Sequence, residues 1–388
     1  MKMPLSLRNA LQKSRVSERG MISWLITVVC AAVLCIVLAL GLWPFHAPRN
    51  DVSWLGNRNG LHFGRSGTVF SASEFRITPA QHQGSGSLEI WLQPGHIWDF
   101  ATVLTFYVPG NPPRFLLRQA QTSLLLQAAI QDGQNRTGLE SVYVVDAFPK
   151  TGPAFITVTS GASATTVYVD GVVAKNAPQI RLSTQAFAGR LVLGDSAGQA
   201  DSWSGQFLGL SIYNRELTVS RVLEHYETWT HTGRPQIAAD EGNVALYLFD
   251  EHSGRIIHSK SGSGADLYIP EKYAVLGQIF LESPSNEFRR YNGYWRAIVK
   301  NIVGFVPFGC CFYVYFGFVR RTKRAALATA ALGFAVSLTI EVLQAFLPTR
   351  DSGITDLITN TLGTYIGVLS YKAARPVLAE WLPWWPYL

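Results

Sequence analysis

The 388 residues are 48% apolar and only 15% charged, with a net charge of +7, whereas soluble proteins average about 25% charged. A mean hydropathy of +0.13 is high for a soluble chain and low for one made only of membrane helices, so apolar residues must be unevenly distributed. Residues 1–50 carry six Lys/Arg and one acid, residues 51–285 sixteen and twenty, and residues 286–388 eleven and five. The basic excess therefore borders the apolar ends and leaves the long middle slightly acidic. A nucleic-acid binder instead gathers basic residues on a folded domain or tail, so no nucleic-acid partner is expected.

In chain order, residues 1–20 form a basic N-terminus, and no charged residue occurs from Met21 to Phe45. About 20 apolar residues cross the ~30 Å hydrocarbon layer, so residues 21–45 read as a first transmembrane helix. The rival is a cleavable signal peptide. The apolar stretch exceeds the usual h-region of about 7–15 residues, and no small-x-small site follows it. Cys30 and Cys35 share this run and Cys310 and Cys311 a later one, with none between. That distribution excludes a disulfide framework and metal-type cysteine spacing.

Residues 50–285 read as an external domain of short alternating runs between Gly, Pro, Asn and Asp clusters. In SLEIWLQP, Leu88, Ile90 and Leu92 fall on one strand face; VYVDGVV sets Asp170-Gly171 between two apolar arms, a hairpin signal. Leu208, Leu210 and Ile212 alternate, and Thr218–Tyr226 reads as one short helix. Many short strands in about 200 residues predict an all-β antiparallel sandwich. Asp170 and Asp195, with Asp146 and Asp201, are either calcium ligands or turn residues, the turn reading being preferred; no other cofactor is expected. Trp91, Trp98, Trp203 and Trp229 are either sugar-stacking or core residues. Asn135-Arg136-Thr137 matches a glycosylation sequon.

The succession GSLEIWLQP, ITVTS, VYVDG, LVLGDS and WSGQFLGLSIYNREL resembles the laminin-G-like jelly roll of the concanavalin A-like lectin/glucanase superfamily, over Phe63–Trp229 with Ala245–Gly254 closing. The resemblance implies carbohydrate binding, protein binding or glycoside hydrolysis, which fold alone does not separate. Retaining hydrolysis needs two carboxylates about 5 Å apart. Glu89 stands alone in its strand and Glu224 and Glu227 fall on the short helix, so no such pair is read.

Three further apolar segments follow, 297–319, 325–347 and 354–371, before a tail at 373–388, giving four crossings. With the N-terminus inside, the inner flanks hold eleven basic residues and the outer flanks six. The positive-inside rule then places both termini in the cytoplasm and residues of about 46–295 outside. The localisation expected is the bacterial cytoplasmic membrane, multi-pass. Arg289, Arg290, Arg296 and Lys300 form a basic outer patch, either for anionic lipid headgroups or as a solvated juxtamembrane face.

Ionisable groups within membrane helices are costly and normally face a partner or a wet cavity. Glu341 and Asn360 each lie about 9 Å from the outer ends of their helices, and Asn301 about 6 Å in, at 1.5 Å per residue. Gln344 and Asp356 sit one turn above Glu341 and Asn360, and Arg350 in the outer loop can reach toward either acid. Asn301, Glu341, Gln344, Arg350, Asp356 and Asn360 are thus expected at one level. Gly363 and Gly367 have the spacing that admits a close helix neighbour, and Pro307 interrupts the second helix.

NIVGFVPFG, IEVLQAFLPTR and DLITNTLGTYIG, on three consecutive helices, are similar to the VanZ-like family over Ile298–Tyr371, here with the sandwich inserted between first and second helices. The resemblance implies an association with teicoplanin (glycopeptide) resistance but no settled reaction. Residues 297–372 are therefore expected to form a VanZ-like membrane module. Its polar cluster admits three readings: a buried network locking the helices; a pocket for lipid-linked glycan, lipid headgroup or glycopeptide; or catalysis or proton-coupled transport through Glu341 and Asp356. The preferred expectation is an envelope protein, not an enzyme, whose sandwich binds an envelope glycan or protein. A membrane enzyme and a structural adhesin are the alternatives.

Overall fold

The computed structural model describes residues 5–77, 85–109, 113–131, 137–149, 151–182, 184–198, 201–262, 264–290 and 293–381. The chain divides into two compact units, Ala47–Gln278 and the combination of Met1–His46 with Ile279–Leu388. Of the sequon, Asn135 and Arg136 lie outside the described residues.

Ala47–Gln278 is a two-sheet antiparallel sandwich. One sheet contains β1 (Val52–Trp54), β2 (Leu61–Phe63), β4 (Gly86–Pro94), β9 (Ala154–Ser160), β10 (Thr165–Val169), β11 (Val172–Ala177), β13 (Gly205–Tyr213) and β14 (Asn243–Tyr247). The other contains β3 (Val69–Ser71), β5 (Phe100–Tyr107), β6 (Phe115–Ala120), β7 (Ser123–Gln131), β8 (Thr137–Val144), β12 (Arg190–Leu193), β15 (Ile256–Ile257) and β16 (Leu267–Tyr268). The first runs β1-β2-β13-β4-β9-β10-β11 with β14 also on β13; the second runs β15-β16-β3-β12-β5-β6-β7-β8. Inward side chains such as Leu88, Ile90, Leu104, Phe106, Leu117 and Phe207 form one core between them.

Period-2 patterning correctly put Leu88, Ile90 and Leu92 inside, but it understates burial on β4, where Ser87 and Glu89 are also fully covered. The reason is a helix on the outer face. α2 (Val219–Thr232) begins at Thr218, whose hydroxyl accepts the Arg221 N–H, and ends at Gly233 in the left-handed region. It extends past the expected Thr218–Tyr226 and packs Trp229 against Phe155 and Leu248. Asp170 (φ 51°) and Gly171 (φ 77°) make the β10–β11 hairpin, the two positive φ values that an Asp-Gly turn supplies.

The second unit is helical. α1 (Leu5–Leu42), α3 (Pro284–Arg290), α4 (Tyr294–Val314), α5 (Ala325–Gln344) and α6 (Ile354–Trp381) follow in order, α4 continuing into a π-helical turn at Tyr315–Val319. Among the described residues three helices are long and apolar enough to cross a membrane: Arg19–Leu42, Tyr294–Val319 and Ala325–Gln344. The fourth expected crossing, α6, is long enough but more polar. Its polar side chains are turned inward: Thr355, Thr359, Asn360 and Thr364 are all buried, and α6 packs against both α4 and α5.

The close helix approach expected at Gly363 and Gly367 is present. A Cβ on Gly363 would stand 2.4 Å from the Ile302 carbonyl oxygen, and one on Gly367 2.2 Å from that of Val306, both on α4. Backbone against backbone at this range excludes any side chain, which is how small residues drive helix packing in lipid. The Cys310 thiol also donates to the Gly367 carbonyl at 3.1 Å.

Candidate functional site

A concentration of polar groups lies in the helical unit, where the C-terminal ends of α1 and α5 meet the N-terminal ends of α4 and α6. Two adjoining cavities occupy this end. The inner one, of about 190 Å³, is walled by all four helices and receives Lys300, Asn301, Glu341, Gln344, Asp356 and Asn360. The outer one, of about 240 Å³, is lined by Glu282, Glu287, Arg350 and Asp351 and shares Gln344 and Asp356 with the first.

Each side chain is set by a neighbouring helix. Asn301 Nδ2 donates to Asp356 Oδ1 at 2.7 Å, tying α4 to α6. Asn360 Nδ2 donates to Ser337 Oγ at 3.0 Å, tying α6 to α5. Glu341 accepts the Gly353 N–H at 2.8 Å just ahead of α6, and Gln344 donates to the Gly41 carbonyl at 2.8 Å. Arg350 lines the outer cavity together with Asp356 and is held at the end of α1. Its Nε donates to the Trp43 carbonyl at 2.8 Å and its Nη2 to the Leu40 carbonyl at 3.4 Å, so the guanidinium covers the terminal carbonyls of α1.

All six residues of the expected cluster thus line the two cavities. Of the basic patch, Lys300 enters the inner cavity, Arg296 is exposed, and the side chains of Arg289 and Arg290 lie outside the described set. Sequence reading missed Glu282, Glu287, Asp351 and Ser337. Glu282 is buried and placed by backbone pairing: its N–H donates to the Ser352 carbonyl and its own carbonyl accepts the Ile354 N–H. Phe288, Tyr294 and Trp295 form an aromatic cluster with centroids 5.5–6.4 Å apart beside the start of α4.

The sandwich holds a second polar cluster that the sequence did not reveal. His225 on α2 is fully buried with Nδ1 3.1 Å from both Glu89 oxygens, and its Nε2 lies 3.0 Å from Glu241 Oε2. Tyr213 donates to Glu89 at 2.7 Å and stacks on the imidazole, while Arg221 Nε reaches Glu241 at 3.1 Å. Burial alone would lower the His225 pKa; the carboxylates of Glu89 and Glu241 reverse this and hold it above its ordinary value. Burial, then Glu89, raises the Tyr213 phenol well above its usual range. Glu89, alone in its strand by sequence, therefore belongs to a sealed ionic cluster.

Asp170 and Asp195, the weak calcium candidates, are used locally. Asp170 Oδ1 accepts the Phe155 N–H at 2.9 Å. Asp195 Oδ1 accepts the N–H groups of Ser196 and Asp201 at 2.7 Å each, and Oδ2 accepts the Tyr273 hydroxyl. Burial pushes the Asp195 pKa up to about 7, against the lowering pull of Tyr273 and those two N–H groups. Among the described residues no group of three His, Cys, Asp or Glu is arranged to hold a metal ion. Of the tryptophans, Trp203 and Trp229 are core residues, whereas Trp98 is 70% exposed beside Phe100 at 66%.

Comparison with known proteins places these features. Residues 247–375 match the VanZ/LLP1 family model, and residues 66–223 match the concanavalin A-like lectin/glucanases superfamily model. Protein VanZ of Enterococcus faecium is 33% identical over 79 residues, covering 20% of this chain and 46% of that protein, so the chain spans less than half the relative's length. Among solved structures, a putative carbohydrate binding protein from Bacteroides ovatus has 12% identity and a TM-score of 0.39, covering 59% of this chain and 62% of that one. A heptameric SAP-like pentraxin from Limulus polyphemus has 12% identity and a TM-score of 0.35, covering 59% and 96%. The CBM40 of the Ruminococcus gnavus IT-sialidase, bound to alpha2,3 sialyllactose, has 10% identity and a TM-score of 0.32, covering 43% and 95%. The chain is a membrane protein that carries a concanavalin A-like domain at residues 66–223 and a VanZ/LLP1 domain at residues 247–375.

Proposed function

We propose that this is a multi-pass protein of the bacterial cytoplasmic membrane whose helical module binds the polar head of a lipid-linked glycan at the outer leaflet. In the same proposal both termini are cytoplasmic, α6 is the fourth crossing, and the sandwich is an extracytoplasmic binder of an envelope glycan or protein. The observation that carries the reading is the pair of adjoining cavities sharing Gln344 and Asp356. Membrane-embedded carboxylates are expensive to insert, and a network that only locked helices together would leave no room beside them. Here Glu341, Asp356 and Asn360 are held by neighbours yet border open volume. Sugar hydroxyls are donors, and carboxylates accept them in strong charge-assisted hydrogen bonds. Exposed Trp98 and Phe100 offer apolar surface on the sandwich for a sugar ring.

The test uses the full-length protein in nanodiscs with a polyprenyl-diphosphate-linked glycan. Asp356→Asn is expected to weaken binding by at least about tenfold, the scale of one lost hydrogen bond to a charged group, with no turnover by the wild type. Equal affinity of wild type and Asp356→Asn overturns the site. Turnover abolished by Glu341→Gln makes the module an enzyme instead.

A further inference from the structure

The inner cavity shares Gln344 and Asp356 with the outer one and also reaches the bundle surface, since three of its lining residues are themselves exposed. It is walled by Leu40 of α1 and by Lys300 and Gly304 of α4, on the same stretch of the bundle. The flanking residues of both helices are apolar and uncovered: Ile36 and Leu40 are 57% and 71% exposed, and Val299 and Val303 are 59% and 63% exposed. Gly304 is exposed, and a Cβ placed on it meets no heavy atom within 4 Å. With α1 and α4 spanning the membrane as proposed above, this exposed lining would face acyl chains. At its lip stands Lys300, exposed, and behind it lie Asp356 and Glu341.

We infer that the inner cavity takes its ligand sideways from the lipid phase, a phosphate-bearing amphiphile whose chain lies between α1 and α4. This rests on the binding reading above and adds the route and the chemical class. The three parts of the ligand follow from three parts of the wall. The exposed apolar lining at Leu40 and Gly304, flanked by Val303, takes a methylene chain. The ammonium of Lys300 takes the phosphate as a compact point charge. The carboxylates of Asp356 and Glu341 take hydroxyl or ammonium donors of the head, and the outer cavity holds whatever the head carries further. A lysine at the end of a membrane helix reaches the headgroup level, which is where a lipid phosphate sits. A water-borne ligand would need neither this lining nor its exposed apolar flanks. Polyprenyl-diphosphate glycans and phosphatidylethanolamine share this chemistry, and the experiment separates them.

The full-length protein is reconstituted in phosphatidylcholine nanodiscs doped with one or the other lipid, and retained lipid is counted by native mass spectrometry after detergent exchange. Gly304→Trp, which covers this lining, is expected to lower retention at least about tenfold, the loss for two methylene groups left unburied, while Gly304→Ala retains it. Lys300→Ala is expected to lower retention of the same lipid and to leave the other unchanged. The lipid whose retention responds is the source. A photo-crosslinking residue at Val303 guards against a folding defect in Gly304→Trp. It should enrich the same lipid over a crosslinker at Leu327, a lipid-exposed position on α5 at 61% exposure. Equal capture at Val303 and Leu327, or unchanged retention in a folded Gly304→Trp, overturns lateral entry. Binding of a water-soluble sugar diphosphate by wild type and Gly304→Trp alike would sink the lateral route and keep the site. Loss of all binding by the wild type would sink both.

Discussion

The Glu89–His225–Glu241 cluster makes a sharp prediction about how α2 is held. Glu89 and His225 have no exposed side-chain surface, and both imidazole nitrogens face carboxylates, at 3.1 and 3.0 Å. Only the imidazolium puts an N–H toward each. Arg221 is shared between Glu241 at 3.1 Å and Glu224 at 2.7 Å, so the His225 proton is the one cation beside buried Glu89, and its loss leaves that negative charge unbalanced. Removing one partner of a buried ion pair costs about 3–5 kcal/mol, which is roughly two to nearly four decades in an opening equilibrium at 1.36 kcal/mol per decade. The sign with pH follows from the raised His225 pKa. The stability it contributes is fully present below the unfolded value of about 6.5 and is lost as pH rises through the folded value. Hydrogen exchange of the Val219–Thr232 amides in the intact protein, corrected for intrinsic chemistry, reads this directly. Protection of α2 should be highest near pH 6 and fall on the alkaline side. His225→Gln should lower it at pH 6 by at least about a hundredfold and flatten its pH dependence. Unchanged protection of α2 in His225→Gln at pH 6, or a wild-type profile flat from pH 6 to 9, would refute the argument.

Two further predictions follow from packing and turn geometry. Gly367→Ala, whose Cβ would meet only α4 backbone at 2.2–2.9 Å, should force α4 and α6 apart and destabilise the helical unit by about 1–3 kcal/mol; an unchanged Tm in detergent would contradict the close approach. Asp195→Ala should cost the sandwich about 2–4 kcal/mol by leaving buried donors unpaired, and calcium chelation should leave the wild-type Tm unaltered. A calcium-dependent rise in Tm that Asp195→Ala abolishes would instead restore Asp195 as a metal ligand.

Much of the candidate site was legible because its cues are local. An acid or amide inside an apolar helix is conspicuous in sequence, and depth from a helix end follows from rise per residue, so Asn301, Glu341, Asp356 and Asn360 could be set at one level. What those groups bond to was not legible. Arg350 turned to carbonyls about three hundred residues earlier in the chain, because an open helix end offers unpaired acceptors that no local pattern advertises. Glu282 joined the site through backbone pairing with Ser352 and Ile354, and Glu287 follows it on α3; neither partner is marked by a local pattern.

The sequence by itself determined what repeats along the chain: the alternation of the strands, the Asp-Gly hairpin, three strongly apolar helices and the glycine pair that lets two helices touch. These depend on side-chain period and on backbone freedom at one residue, both short-range properties. Tertiary structure decided what depends on distant partners. It buried Glu89 on both sides by laying α2 over β4 and brought His225 to it from 136 positions away. It also turned Thr355, Thr359, Asn360 and Thr364 of α6 inward and packed that helix against α4 and α5. Burial and pairing of a polar group are fixed by whichever surface folds against it, and that surface lies elsewhere in the chain.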